Sequence, residues 1–164
     1  MRFTEADAAF VTGMISHHAQ AIEMAQMAPS HSTTPSIHTL AARIINAQHD
    51  EIAWMEAWLR DRRQPVPAAE AHAHGHEYLP GMITPEQLAQ LQEATGPAFD
   101  RLFLALMIQH HEGAVAMVTQ LVATDGAVQD PATFKLASDI HVDQTTEIAR
   151  MEQMLAALPP GDSR

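Results

Sequence analysis

The chain states one pattern twice, and a chain built that way must fold as two copies of one unit. Residues 7–24 read D-A-A-F-V-T-G-M-I-S-H-H-A-Q-A-I-E-M, and residues 100–117 read D-R-L-F-L-A-L-M-I-Q-H-H-E-G-A-V-A-M. The copies share Asp7/Asp100, Phe10/Phe103, Met14/Met107, Ile15/Ile108, His17-His18/His110-His111, Ala21/Ala114 and Met24/Met117. A second block, Gln48-x-x-Glu51-Ile52-Ala53-x-Met55-Glu56-x-x-Leu59, recurs as Gln144-x-x-Glu147-Ile148-Ala149-x-Met151-Glu152-x-x-Leu155. Two copies are too few for a solenoid, which needs about three or more repeats to bury a continuous core. The polar positions repeat as faithfully as the apolar ones, whereas packing alone would let them drift.

At 164 residues the chain is expected to form a single domain spanning 1–164. A formal charge of −11 disfavours nucleic acid and anionic membrane surfaces and suits the gathering of cations. The 11 histidines would cancel that charge if all were protonated, so solubility and metal binding should respond to mild acid. Cysteine is absent, which excludes disulfides, thiolate metal sites and thiol catalysis. No apolar run approaches the roughly 20 residues of a membrane span, so no insertion by this segment is expected. The opening Met-Arg-Phe-Thr-Glu does not read as a secretory signal, so none is expected within these residues.

Start and stop signals predict four long helices and one short one. The first runs from about Thr4 to Ala28, ahead of Pro29. The second follows Thr34-Pro35, a cap residue with proline at the first helical position, and reaches about Arg62. Residues 63–96 form a crossover containing A-H-A-H-G-H-E and a short helix opened by the capping box Thr84-Pro85-Glu86-Gln87. The fourth helix spans about Pro97 to Thr124. Asp130-Pro131 caps the fifth, which ends near Leu158. The expectation is all-α: an up-down hairpin (4–62), a long crossover (63–96) and a second up-down hairpin (97–158).

Helical periodicity places polar groups among the apolar ones. In the first helix Phe10, Val11, Met14, Ile15, Ala21, Ile22, Met24 and Ala25 define a stripe, with His18 near its centre and His17 at its edge. His111 and His110 repeat that placement. Adjacent residues diverge by about 100°, so His18 and His111 are expected to point inward and His17 and His110 to sit at the helix–helix seam. Gln48, Glu51, Gln144, Glu147 and His141 fall on the inner faces of the second and fifth helices. With hairpin turns near residues 32 and 128, His18 should lie beside Gln48 and Met14 beside Glu51, and the second hairpin should repeat this at mid-height.

Buried polar groups need partners. One reading is a His–Gln–Glu hydrogen-bond network that fixes register. The other is a metal site of imidazole nitrogen and thioether sulfur from Met14, His18, Met107 and His111, a soft donor set that suits copper, especially Cu(I). Core filling is the ordinary role of buried methionines. Two further groups carry metal-ligand chemistry. His72, His74 and His76 form an alternating tract of the kind that chelates Cu(II), Ni(II) or Zn(II), with Met82 close behind. Met24, Met27 and His31 follow one another along the end of the first helix.

At its two M-I-x-H-H blocks the chain resembles domain-of-unknown-function family 305, whose members include periplasmic copper-binding proteins. The matching segments are 7–25, 48–59, Pro80-Gly81-Met82, 96–117 and 144–155. The resemblance implies a ferritin-like four-helix bundle, export or membrane anchoring, and copper binding or resistance. It maps the family motif onto Met14, His17, His18, Met24, Met107, His110, His111 and Met117.

The functional expectation is a copper-binding or copper-buffering protein without catalytic turnover, with another divalent metal as an alternative cargo. A metal-free structural or partner-binding bundle is the rival reading. A ferritin-like di-metal oxidase needs about four inward carboxylates and Glu-x-x-His on two helices. This chain contains no Glu-x-x-His. A seam rich in Met and His also allows a homodimer.

Overall fold

The computed structural model describes residues 2–68 and 78–159, and among them the chain is all-helical. The elements are α1 (Glu5–Ala25), α2 (Ala28–His31), α3 (Pro35–Asp61), α4 (Pro85–Glu93), α5 (Gly96–Val122) and α6 (Pro131–Ala157). Helix α1 packs along α3, α5 packs along α6, and the two hairpins meet through α1 and α5.

Local chemistry sets the boundaries. The Thr4 hydroxyl accepts from the Asp7 N–H while the Asp7 carboxylate accepts from the Thr4 N–H, closing a capping box. Thr84 and Gln87 do the same for α4, with Pro85 in the first turn. Asp130 caps α6 through the Thr133 N–H. The first helix does not continue to Ala28. It stops at Ala25, and Pro29 sits in the separate short turn α2.

The repeated aspartates tie the hairpins together. Asp7 in α1 accepts from the Val128 N–H in the α5–α6 turn. Its counterpart Asp100 in α5 accepts from Ser32 Oγ (2.5 Å) and from Thr34 Oγ1 in the α1–α3 turn. Each hairpin thus grips the turn of the other. At the far end of α3, Trp58 Nε1 donates to Thr133 Oγ1 (2.9 Å), and Arg62 pairs with Asp130 (2.6 Å) while lying over the Trp58 ring.

The apolar interior falls into two clusters. One gathers Phe10, Val11, Met14, Ile15, Met55, Leu59, Met117 and Leu121; the other gathers Met24, Ile37, Ile44, Leu91, Phe99, Phe103 and Met107. Each large side chain fully buried contributes about 1.5–3 kcal/mol. On all four long helices a short polar stretch separates the two clusters: His17-His18, Gln48 with Glu51, His110-His111, and Gln144 with Glu147. The duplicated polar motif therefore forms one layer across the middle of the bundle.

Candidate functional site

All four histidines of the repeat are buried: His17 and His110 at 1% exposure, His18 and His111 at 0%. With no solvent to satisfy their nitrogens, every ring atom must find a protein partner or go without. The expected division into two inward and two seam rings is half right. His17 and His110 do meet at the α1–α5 seam, ring against ring with centroids 3.8 Å apart and planes tilted by 36°. They are as deeply enclosed as the other pair.

His18 Nε2 lies 2.6 Å from Glu51 Oε1, and His111 Nε2 lies 2.5 Å from Glu147 Oε1. These pairings correct the expected register, which put His18 beside Gln48 and Met14 beside Glu51. His18 meets a residue almost one helical turn further along α3, so the pivot of the first hairpin lies past residue 32. Gln48 and Gln144 remain buried beside the histidine layer.

Burial holds His17, His18 and His110 neutral. His17 and His18 are pushed down to about 3 by desolvation, with neighbouring histidines adding to the effect, and His110 is pushed well below its ordinary value for the same reason. A neutral His18 donates its Nε2–H to Glu51, which leaves Nδ1 as a bare lone pair. That atom has no hydrogen-bond partner, and neither do His111 Nδ1, His110 Nε2 and Gln48 Oε1. Four orphaned polar atoms in one layer are a concentrated cost unless something satisfies them.

Carboxylates back this layer on the α3–α6 side. Burial raises Glu51, although a hydrogen bond from Asp143 opposes the shift. Asp143 rises to about 7 through desolvation of its carboxyl, then through its contact with Glu51 and the charges of Glu51, Asp139 and Glu147. Asp143 was invisible to the repeat, because its counterpart in the first hairpin is Ala47. Its position one turn before Glu147 was the available signal.

The methionines are buried, but they pair differently from the expected Met14–Met107 site. Met14 shares one apolar cluster with Met117, and Met107 shares the other with Met24. Helices α1 and α5 run antiparallel, so equal positions of the two repeats diverge from the histidine layer in opposite directions. One thioether pair therefore lies on each side of the imidazoles.

The crossover returns over the seam at residues 79–83. His17 Nε2 donates to the Pro80 carbonyl (2.8 Å), and the Gln20 amide holds Ile83 from both sides, accepting from its N–H (2.8 Å) and donating to its C=O (3.0 Å). Gly113 lets this strand touch α5: a Cβ there would stand 2.0 Å from the Pro80 oxygen. Gly81 turns with φ +75, in the left-handed region.

Other expected ligands lie elsewhere. His141 does not face inward. It is exposed on α6, lining an open groove with Val118 and Val122 of α5. His31 has both ring nitrogens against backbone carbonyls, Nδ1 on Met27 and Nε2 on Gln92, which takes it out of a site with Met24 and Met27. Met82 is half-buried in the crossover. His72, His74 and His76 lie outside the described residues. Among the described residues no three His, Asp or Glu side chains are grouped to hold one ion, so a metal in the layer must draw on donors beyond these. One helix, α5, is long and apolar enough to cross a membrane, contrary to the expectation from sequence, and it is the central core helix between α1 and α6.

The model of a domain of unknown function, DUF305, matches residues 7–155, and the chain belongs to that family. It is similar to a DUF305 fragment from Deinococcus radiodurans, with 32% identity over 96% of this chain and 100% of that one and a TM-score of 0.82. A Streptomyces coelicolor DUF305 protein described as secreted shares 27% identity over 92% of both chains, TM-score 0.79. CopM in its Cu(II)-bound form shares 35% identity over 95% of this chain and 98% of that one, TM-score 0.75, and CopM has also been solved with Cu(I) and with silver. No curated protein matches the chain.

Proposed function

We propose that this DUF305 protein binds and buffers copper, taking it as cargo into a site built from the buried histidine layer and the thioethers beside it. The observation that carries the reading is the state of His18 and His111. Each has Nε2 fixed by a glutamate and Nδ1 buried without a partner, the arrangement in which a carboxylate orients an imidazole and raises its basicity toward a metal. His110 Nε2 is a third buried nitrogen donor. Met14 with Met117 and Met107 with Met24 add soft sulfur on either side, and such a nitrogen–sulfur set favours Cu(I) over harder divalent ions. The copper- and silver-bound states of CopM support the cargo. The described secretion of the Streptomyces coelicolor relative supports an extracytoplasmic location, and the two packed hairpins support a ferritin-like four-helix bundle. The carboxyl groups of the layer come mainly from α3 and α6 and engage the histidines, which favours binding over di-metal oxidase chemistry.

Titration with Cu(I) and with Cu(II) tests this. His18→Gln with His111→Gln keeps a donor for each glutamate and removes the Nδ1 lone pairs. The double variant should lose high-affinity Cu(I), whereas a variant lacking residues 72–76 should keep it. The converse pattern moves the site to the histidine tract. Copper should also raise the thermal midpoint, since a ligand of the folded state at 100 times its Kd adds about 2.7 kcal/mol. A midpoint indifferent to copper and to chelators supports the rival reading, a metal-free bundle whose register is set by His18–Glu51 and His111–Glu147.

A further inference from the structure

Sequence duplication makes the two thioether pairs look equivalent, and the fold breaks that equivalence. Met24 is fully buried, and its end of the bundle is closed by Ile83, by Leu91 of α4 and by Phe99. Met117, its counterpart in the other repeat, lies instead at the floor of an open groove of about 460 Å³ between the start of α1, the end of α5 and the returning crossover. Ala9 and Phe10 form one wall, and Tyr78 and Leu79 form another. Met117 is 6% exposed, and its terminal methyl and the Leu79 side chain both come within about 3.5 Å of where a Cβ on Gly13 would stand. Both are ordinary van der Waals distances, so the Met117 side chain packs directly beside position 13 of α1.

From this asymmetry we infer that the Met117 groove is the port through which a soft monovalent cation, Cu(I) or Ag(I), passes to the buried histidine layer, and that loading is one-ended. The inference rests on the copper reading above. Met117 is the thioether that lines the groove, and Met14 shares its cluster. Met14 lies about one helical turn from His17 and His18, and Met117 about two turns from His110, at 1.5 Å of rise per residue. A sulfur on a flexible side chain at the groove floor, then a second sulfur, then imidazole nitrogen is a graded path for an ion that would otherwise shed water into an apolar wall. Met24 instead lies fully buried behind packed apolar side chains.

Stopped-flow loading with Ag(I), and with Cu(I) under anaerobic conditions, tests this alongside equilibrium stoichiometry. Met117→Leu and Met24→Leu remove one sulfur each while conserving volume. Ala9→Trp occupies the groove mouth from an exposed helical position and leaves the core alone. Ala9→Trp should slow loading tenfold or more with little change in the amount bound, and Met117→Leu should slow loading several-fold more than Met24→Leu does. Equal slowing by Met117→Leu and Met24→Leu, or unchanged loading in Ala9→Trp, overturns the port while leaving copper binding intact. A wild-type protein that takes up neither ion overturns the copper reading itself.

Discussion

His17 of α1 and His110 of α5 stack at 3.8 Å where the two repeats cross, and the Pro80 carbonyl of the crossover accepts from His17 on the outer side. The histidine layer is therefore sealed by backbone rather than by a side chain. That seal depends on a glycine. Gly113→Ala would place a methyl 2.0 Å from the Pro80 oxygen, so the crossover must move off α5. Overpacking of this kind costs about 1–3 kcal/mol. Urea denaturation should show a loss in that range, and a fully wild-type midpoint would contradict the described contact.

Gln20 provides the second test of the seal. Its amide makes two hydrogen bonds to the Ile83 backbone from a buried position. Gln20→Leu leaves that N–H and C=O unpaired at a cost of about 1–3 kcal/mol for each buried group. Amide exchange at Ile83 should accelerate more than exchange in α3, because the loss is local.

The reciprocal grip of Asp7 and Asp100 predicts additive losses. Asp100→Ala removes the acceptor for Ser32 and Thr34, and Asp7→Ala removes both the α1 capping box and the bond from Val128. Each should cost about 1–3 kcal/mol. The two sites tie different turns and share no partner, so the double variant should lose close to the sum of the single changes.

Acid should destabilise the protein below about pH 6.5. His17 and His18 are held near 3 and His110 well below its usual value, so the unfolded chain binds protons at these positions before the folded one does. Stability from them is present above the unfolded pKa and falls as pH drops toward 3. Asp143 (raised to about 7) and Glu51 work in the opposite sense, because the folded state binds their protons first. Three histidines against two carboxyl groups leave a net loss on acidification. A thermal midpoint that rises from pH 7 to pH 5 would contradict this balance.

The hairpins, their caps and the central polar layer were legible because each has a local cause: a 3.6-residue apolar period, a proline after a cap residue, and a polar motif kept in both copies. The partner of each histidine was less so. A shift of three residues moves the pairing from Gln48 to Glu51, and side-chain periodicity does not report the register between two helices. The Met14–Met107 grouping failed for a geometric reason. Repeat equivalence relates residues by a rotation between antiparallel helices, and residues off the axis of that rotation are carried apart. Asp143 and the Pro80 carbonyl had no repeated counterpart, so the duplication that revealed the rest could not reveal them.

The proposed copper site turns on two atoms, the Nδ1 nitrogens of His18 and His111. Long-range 1H–15N correlation spectra of histidine-labelled protein report the tautomer and ligation of each ring. Before metal, His18 should carry the proton on Nε2 and an unprotonated Nδ1. On adding one equivalent of Ag(I), the Nδ1 signals of His18 or His111 should shift strongly while the Nε2–H signals remain. Shifts confined to His72, His74 and His76, with the buried rings unchanged, would contradict the account.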